Sequence, residues 1–97
     1  MRRYSNELTL KEAIEQLLNA YGMKDKVNAS RLINSWETVV GSMIKRHTLD
    51  LNVKRKTLYV KVDSAALRNE LSYAKENLIK NLNKYAGANV ITDIVFV

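Results

Sequence analysis

Lysine and arginine side chains are concentrated in one short stretch of the 97-residue chain. Residues 45–61 contain six of them and one acidic residue, Asp50, so the stretch has a net charge of +5 out of +6 for the whole chain. Such a cluster attracts anionic partners and binds phosphate groups regardless of nucleotide sequence. A solvated face that keeps the protein soluble is the alternative explanation. The sequence favours nucleic-acid binding through Lys45, Arg46, Lys54, Arg55, Lys56 and Lys61.

Residue types that do catalysis or bind metals are sparse. The chain has no cysteine and a single histidine, His47, which disfavours a transition-metal site. It contains no Gly-X-Ser-X-Gly, P-loop or His-Glu-X-X-His motif, and its ten acidic residues are scattered. We therefore expect a protein that is not an enzyme and has no cofactor, metal or small-molecule substrate.

Helical periodicity dominates the first half of the chain. Thr9 begins a capping box, and apolar residues then recur every three to four positions until Gly22, which predicts a first helix ending there. A second helix is predicted over residues 28–40 and ends at Gly41, with a further short turn over residues 42–47.

The apolar period then changes from 3.6 to two, which is typical of strands. Two alternating runs, residues 48–53 and 57–62, flank the polar tip Lys54-Arg55-Lys56 and predict an antiparallel hairpin. The face of the hairpin that is expected to be buried contains Leu49, Leu51 and Val53 of the first strand. The other face is predicted to present Thr48, Asp50, Asn52, Tyr59 and Lys61.

A third helical stripe follows, capped by Asp63 or Ser64 and ended by Gly87, with a break near Ser72. Residues 90–97 are rich in β-branched types and predict a third strand. The expected fold is α+β in the order α-α-β-β-α(-α)-β, with helices on one face of a three-stranded sheet. The predicted core contains Trp36, Val40, Leu51, Val60, Leu71, Leu78, Ile94 and Phe96.

Several further side chains are candidates for binding. Arg68 and Lys75 share one side of the third helix and extend the nucleic-acid set, whereas solvation is the simpler explanation for them. Tyr73 falls off the apolar stripe and is a candidate for stacking or for a protein partner. Alternation in the last strand predicts that Ile91, Val95 and Val97 lie on the open side of the sheet as an apolar contact surface.

The order and spacing of several short segments resemble those of the DciA family. The similarity extends from about Leu10 to the end and implies a KH-like fold. It also implies a part in bacterial DNA replication, in which DciA-type proteins bind DNA and assist loading of the replicative helicase. The segments are Trp36-Glu37-Thr38-Val39-Val40-Gly41, His47-Thr48, Thr57-Leu58-Tyr59-Val60-Lys61-Val62, Leu67-Arg68-Asn69-Glu70-Leu71, Leu82-Asn83 and Asp93-Ile94-Val95-Phe96.

Two departures from the family pattern limit what is carried over. Many members continue into a long basic tail, whereas this sequence stops at Val97, so functions of such a tail are not expected of it. A standard KH domain clamps nucleic acid with a Gly-X-X-Gly loop. The corresponding segment here, Leu71-Ser72-Tyr73-Ala74, contains no glycine.

The basic hairpin predicts a cytoplasmic, non-enzymatic DNA-binding adaptor, and the resemblance to the DciA family implies that it contacts the replicative helicase. The remaining alternatives are a protein–protein adaptor whose basic patch meets an acidic partner, and an RNA-binding KH-like module. We expect residues 1–8 to be a flexible arm and residues 9–97 to form one domain. No apolar run approaches the roughly 18–20 residues of a membrane span.

Overall fold

The computed structural model describes residues 9–97, except for the side chain of Leu18. The first element of this part is one long helix, α1 (Leu10–Asn34). The predicted arm of residues 1–8 lies outside this part. The Thr9 hydroxyl oxygen accepts a hydrogen bond from the backbone N–H of Glu12 at 3.1 Å, so the helix starts at the predicted cap.

The prediction that Gly22 ends the first helix is wrong, because α1 continues through it. A glycine inside a helix costs only about 1 kcal/mol relative to alanine. Gly22 does not adopt the left-handed conformation that ends helices. The first half of α1 therefore extends away from the other elements. With this helix included, the overall dimensions are 62 × 21 × 20 Å.

Two short helices follow α1 and lead into the sheet. Helix α2 (Trp36–Val40) is separated from α3 (Ser42–Arg46) by Gly41. Gly41 has a φ angle of 93°, a backbone conformation that residues other than glycine rarely adopt. The glycine thus redirects the chain from the helical layer toward the first strand.

The sheet has three strands in the order β1-β2-β3. Strand β1 (Thr48–Lys54) is antiparallel to β2 (Thr57–Val62), and β3 (Asp93–Phe96) is parallel to β2 on its other side. The predicted α+β class and order of elements are confirmed. The third strand is shorter than predicted, because residues 90–92 approach the sheet as a loop.

A bulge near the start of β1 changes which residues face the helices. The register shifts between Thr48 and Asp50, so Leu49 has no direct partner on β2 and is exposed. The Thr48 hydroxyl oxygen accepts a hydrogen bond from the Trp36 indole N–H at 3.0 Å. The prediction that Leu49 faces the core and Thr48 faces solvent is therefore wrong, since one extra residue reverses the alternation.

The third helical stripe forms two helices, α4 (Ala65–Tyr73) and α5 (Lys75–Ala86), which break at Ala74. The Ser64 hydroxyl caps α4 by accepting from the backbone N–H of Leu67 at 3.2 Å. Gly87 ends α5 in the left-handed conformation.

The core lies between the helices and one face of the sheet. Trp36 is completely inaccessible to solvent and belongs to the same cluster as Leu32 and Leu82. Of the residues predicted for the core, Trp36, Val60, Leu71, Leu78 and Ile94 are buried, and Val40, Leu51 and Phe96 are half-buried against them.

The side chain of Asn83 fixes the loop between α5 and β3. Its Nδ2 donates to the Ile91 carbonyl at 2.8 Å, and its Oδ1 accepts from the backbone N–H groups of Val90 and Ile91, both at 3.0 Å. These bonds turn Ile91 inward, where it is 1% exposed. The prediction that Ile91 lies on the open side of the sheet is wrong, because strand alternation does not extend to this loop.

Replacing Asn83 by alanine is expected to lower the free energy of unfolding by about 2–4 kcal/mol, because it leaves the N–H and the carbonyl of the buried Ile91 without partners, whereas the Val90 N–H keeps a bond to the Ala88 carbonyl. Denaturant unfolding measures this loss. Asn81→Ala is the matched control, since Asn81 is exposed on the same helix. Equal losses in the two variants would contradict a role for Asn83 in fixing the loop.

Candidate nucleic-acid interface

The tip of the β1–β2 hairpin is a two-residue turn made of Arg55 and Lys56, both exposed. Their φ angles are 50° and 63°, so both residues lie in the left-handed region as a type I′ turn requires. The backbone N–H of Thr92 donates to the Lys56 carbonyl at 2.7 Å and holds the tip against the loop before β3. The tip therefore presents two cationic side chains, with Lys54 beside them at the end of β1.

Arginine and lysine are unfavourable residues for this turn. Asn-Gly satisfies a type I′ turn without strain, whereas other side chains in the left-handed conformation cost on the order of 1–2 kcal/mol each. Strained backbone of this kind is concentrated at functional sites. The tip thus keeps two positive charges at some expense of stability.

Arg55→Asn combined with Lys56→Gly is expected to raise the free energy of unfolding by about 1–2 kcal/mol, because the new residues fit the turn. The same variant is expected to bind DNA more weakly. Thermal unfolding and a DNA-binding titration measure the two effects. A variant that binds DNA as tightly as wild type would show that the tip charges serve another purpose.

A cavity of about 420 Å³ lies between the tip, the middle of α1 and the loop after α5. Lys26 lines this cavity beside the positive side chains of the tip. The side-chain amides of Asn28 and Asn89 also line it. Sequence reasoning missed Lys26, because its position near the tip depends on α1 continuing through Gly22. The residues lining this cavity are Asp25, Lys26, Asn28, Ala29, Val53, Arg55, Lys56, Ala88, Asn89 and Val90.

The remaining cations of the basic stretch lie away from the tip. Lys45 and Arg46 end α3, next to the start of β1, and Lys54 is the last of the seven residues of this strand, so roughly 20 Å separates the two ends. Lys61 lies on β2 opposite Asp50 of β1. The sequence cluster is thus distributed along the whole hairpin.

The open face of the sheet carries one aromatic side chain. Tyr59 is 37% exposed on the central strand, and its neighbours across the sheet are Asn52 on β1 and Val95 on β3. Sequence alternation predicted the orientation of Tyr59 but did not mark it as a binding residue. An exposed ring beside Lys61 on a sheet is a surface on which nucleobases stack.

Arg68 and Lys75 contact the sheet with their charged ends. An Nη of Arg68 donates to the Val62 carbonyl at 3.2 Å, and the Lys75 Nζ lies 3.3 Å from Asp93 Oδ1. The backbone N–H of Ile94 and the Lys75 ammonium group both hold the pKa of the Asp93 carboxyl below its usual value. Both cations also line a shallow groove between α4 and β3, with Ala65, Asn69, Ser72, Ile94, Val95 and Phe96.

The residues predicted to contact a protein partner are not all together. Tyr73 is 85% exposed at the end of α4, directly before the break at Ala74. Val95 lies on the open side of the edge strand β3 and is half-buried. Val97 follows this strand on the same side and is exposed. Ile91 is buried and does not belong to this surface.

The single histidine pairs with a carboxylate. His47 Nδ1 lies 2.9 Å from Asp63 Oδ1, and both groups are exposed. Within residues 9–97, no three histidine or acidic side chains come together in a way that would hold a metal ion. None of the described helices has both the length and the apolar character needed to cross a lipid bilayer.

The described elements define a small α+β protein with a three-stranded mixed sheet and a strained cationic hairpin tip. The family model described as Dna[CI] antecedent, DciA matches residues 9–96, so the chain belongs to the DciA family. A comparison with curated proteins finds no match.

Proposed function

We propose that this protein is a non-enzymatic, cytoplasmic adaptor that binds DNA through the β1–β2 hairpin and assists the replicative helicase. The observation that carries the proposal is the turn Arg55-Lys56, in which two cationic residues occupy a conformation that favours Asn-Gly. Charges retained against the preference of the backbone are explained by a partner that needs them.

DNA suits the hairpin because its charges are spread along one edge. The distance of roughly 20 Å between the Arg46 end and the Lys54 end spans several phosphates, because each strand of a duplex has one phosphate for about every 3.4 Å of helix axis. A small acidic ligand would engage only one end of this hairpin. Membership of the DciA family supports the replicative helicase as the partner, because the resemblance to this family implies a part in helicase loading.

An RNA-binding KH-like module remains the second candidate, favoured by the order of elements. Against it, the segment Leu71-Ser72-Tyr73-Ala74 at the junction of α4 and α5 has no glycine, whereas the Gly-X-X-Gly loop of KH domains uses glycine to let the nucleic-acid backbone approach closely. A protein–protein adaptor with an acidic partner is the third.

A binding titration with fluorescent DNA and RNA of the same sequence, at several salt concentrations, tests the proposal. We expect affinity for DNA that falls steeply with salt, with a slope set by the number of phosphates contacted. Capture of the replicative helicase on the immobilised protein, with and without DNA, tests the second part. A preference for RNA would support the KH-like alternative, and helicase capture by a protein without DNA affinity would support the protein adaptor.

A further inference from the structure

The amino-terminal half of α1 has an apolar stripe that nothing covers within the described residues. Every described side chain before Asn28 in this helix is exposed. Four of them, spaced four, three and four residues apart, form the stripe and are between 48% and 78% exposed: Leu10, Ile14, Leu17 and Tyr21. Contiguous exposed apolar residues of this kind mark an interaction surface.

The helix also needs support that the rest of the protein does not supply. A helix of fewer than about 12–15 residues is marginal in water, and a longer one depends on packing of its apolar face. Here the packed part of α1 begins only near Asn28 and includes Leu32 and Ile33. A partner along the stripe would stabilise the preceding 18 residues of helix, residues 10–27.

We propose that the occupant of this stripe is the same stripe of a second copy, packed antiparallel as a short two-helix coiled coil. The spacing of three and four residues is that of coiled-coil core positions. The spacing between successive residues of the stripe, which is four, three and four, is the same when it is read from either end of the helix. An antiparallel copy therefore places Leu10 opposite Tyr21 of the second copy and Ile14 opposite Leu17 of the second copy, in four layers.

The charges near the two ends of the stripe favour the antiparallel orientation. One end of the stripe has a net charge of −1 from Lys11, Glu12 and Glu15, and the segment beyond the other end has a net charge of +1 from Lys24, Asp25 and Lys26. Antiparallel packing brings each acidic end toward a basic end, whereas parallel packing would bring like charges together.

The interface has the size of a weak dimer. Four large side chains and the neighbouring alanines, Ala13 and Ala20, would bury about 1,000 Å² in total, at the low end of specific interfaces. We therefore expect association at micromolar to millimolar protein concentration. The dimer would place the two hairpins at opposite ends of a rod, so that one assembly contacts two separate anionic sites.

Sedimentation equilibrium of the full chain over this concentration range tests the proposal. Wild type is expected to dimerise, and Leu17→Glu is expected to remain monomeric. Met43→Glu is the matched control, because Met43 is similarly exposed but lies on α3. A monomeric wild type at millimolar concentration, or equal effects of the two variants, would overturn the proposal.

Disulfide trapping tests the orientation, since the chain has no cysteine of its own. Isotope-labelled Ile14→Cys is mixed with unlabelled Leu17→Cys and oxidised, and mass spectrometry separates the products. Antiparallel packing gives mainly the mixed disulfide. A predominance of disulfides between identical variants would show parallel packing and would contradict the proposed layers. The proposal is independent of DNA binding, so neither result depends on the hairpin.

Discussion

Replacement of Trp36 by alanine is expected to lower the free energy of unfolding by about 3–5 kcal/mol, a large part of the stability of a domain this size. The ring is completely buried among Leu32, Leu82 and other core residues, so its removal leaves a cavity where helices α1, α2 and α5 meet the sheet. Circular dichroism during denaturant unfolding measures the loss, because the variant has no tryptophan fluorescence.

Two further variants separate the packing of the ring from its hydrogen bond. The indole N–H donates to Thr48, whose hydroxyl in turn donates to the Ile44 carbonyl at 2.7 Å. Thr48→Val keeps the ring but leaves a buried N–H without an acceptor, so we expect a loss of about 1–3 kcal/mol. Tyr85→Ala, at an exposed aromatic residue, is the control with little expected effect.

Tryptophan is also common at the centre of protein interfaces, so Trp36 could instead be an anchor for a protein partner, and this role predicts the opposite result. A binding residue can be removed from a surface with little effect on folding. If Trp36→Ala melts near the wild-type temperature and fails to capture the helicase, Trp36 contacts the partner directly. Complete burial of the ring in the isolated chain is the reason that we expect the first outcome.

The elements that local pattern specifies were predictable from the sequence. The change of apolar period located the hairpin, and the charged tip between the two runs was recognised without knowledge of its turn type. Gly87 and Ser64 act as the expected helix signals because capping depends on only a few neighbouring residues. The order of helices and strands followed from these local rules.

The features that sequence reasoning missed depend on energies that local pattern does not contain. Whether a helix continues through Gly22 depends on a difference of about 1 kcal/mol, which a pattern of apolar residues does not reveal. The bulge at Leu49 is set by the bonds that orient Thr48 toward Trp36, residues twelve positions apart. Ile91 is buried because Asn83 holds its backbone from another element.

The candidate site was predicted in part for the same reason. Lys54, Arg55 and Lys56 are neighbours in sequence and necessarily share the tip. Lys26 joins them only through the tertiary position of α1, so charge counting along the chain assigned it no role. The strain at Arg55 and Lys56 was also hidden, because positive φ at these residues is visible only in the backbone.

The triple variant Lys54→Ala, Arg55→Ala and Lys56→Ala is expected to weaken DNA binding at every salt concentration and to reduce the salt slope by up to roughly 3 units, about one for each lost phosphate contact. The measurement is a fluorescence titration with a DNA duplex at several salt concentrations. Alanine does not relieve the left-handed strain of the turn, so the fold of the tip should change little.

The control for this variant removes the same net charge elsewhere, through Lys11→Ala, Lys80→Ala and Lys84→Ala, all at exposed helical positions. If DNA is held at the hairpin, the control keeps most of the wild-type slope. Adding Lys26→Ala to the tip variant should lower the slope by about one further unit, because Lys26 lies on the wall of the cavity beside the tip. Equal slopes in the tip variant and the control would mean that DNA responds only to net charge, and the hairpin would not be the binding site.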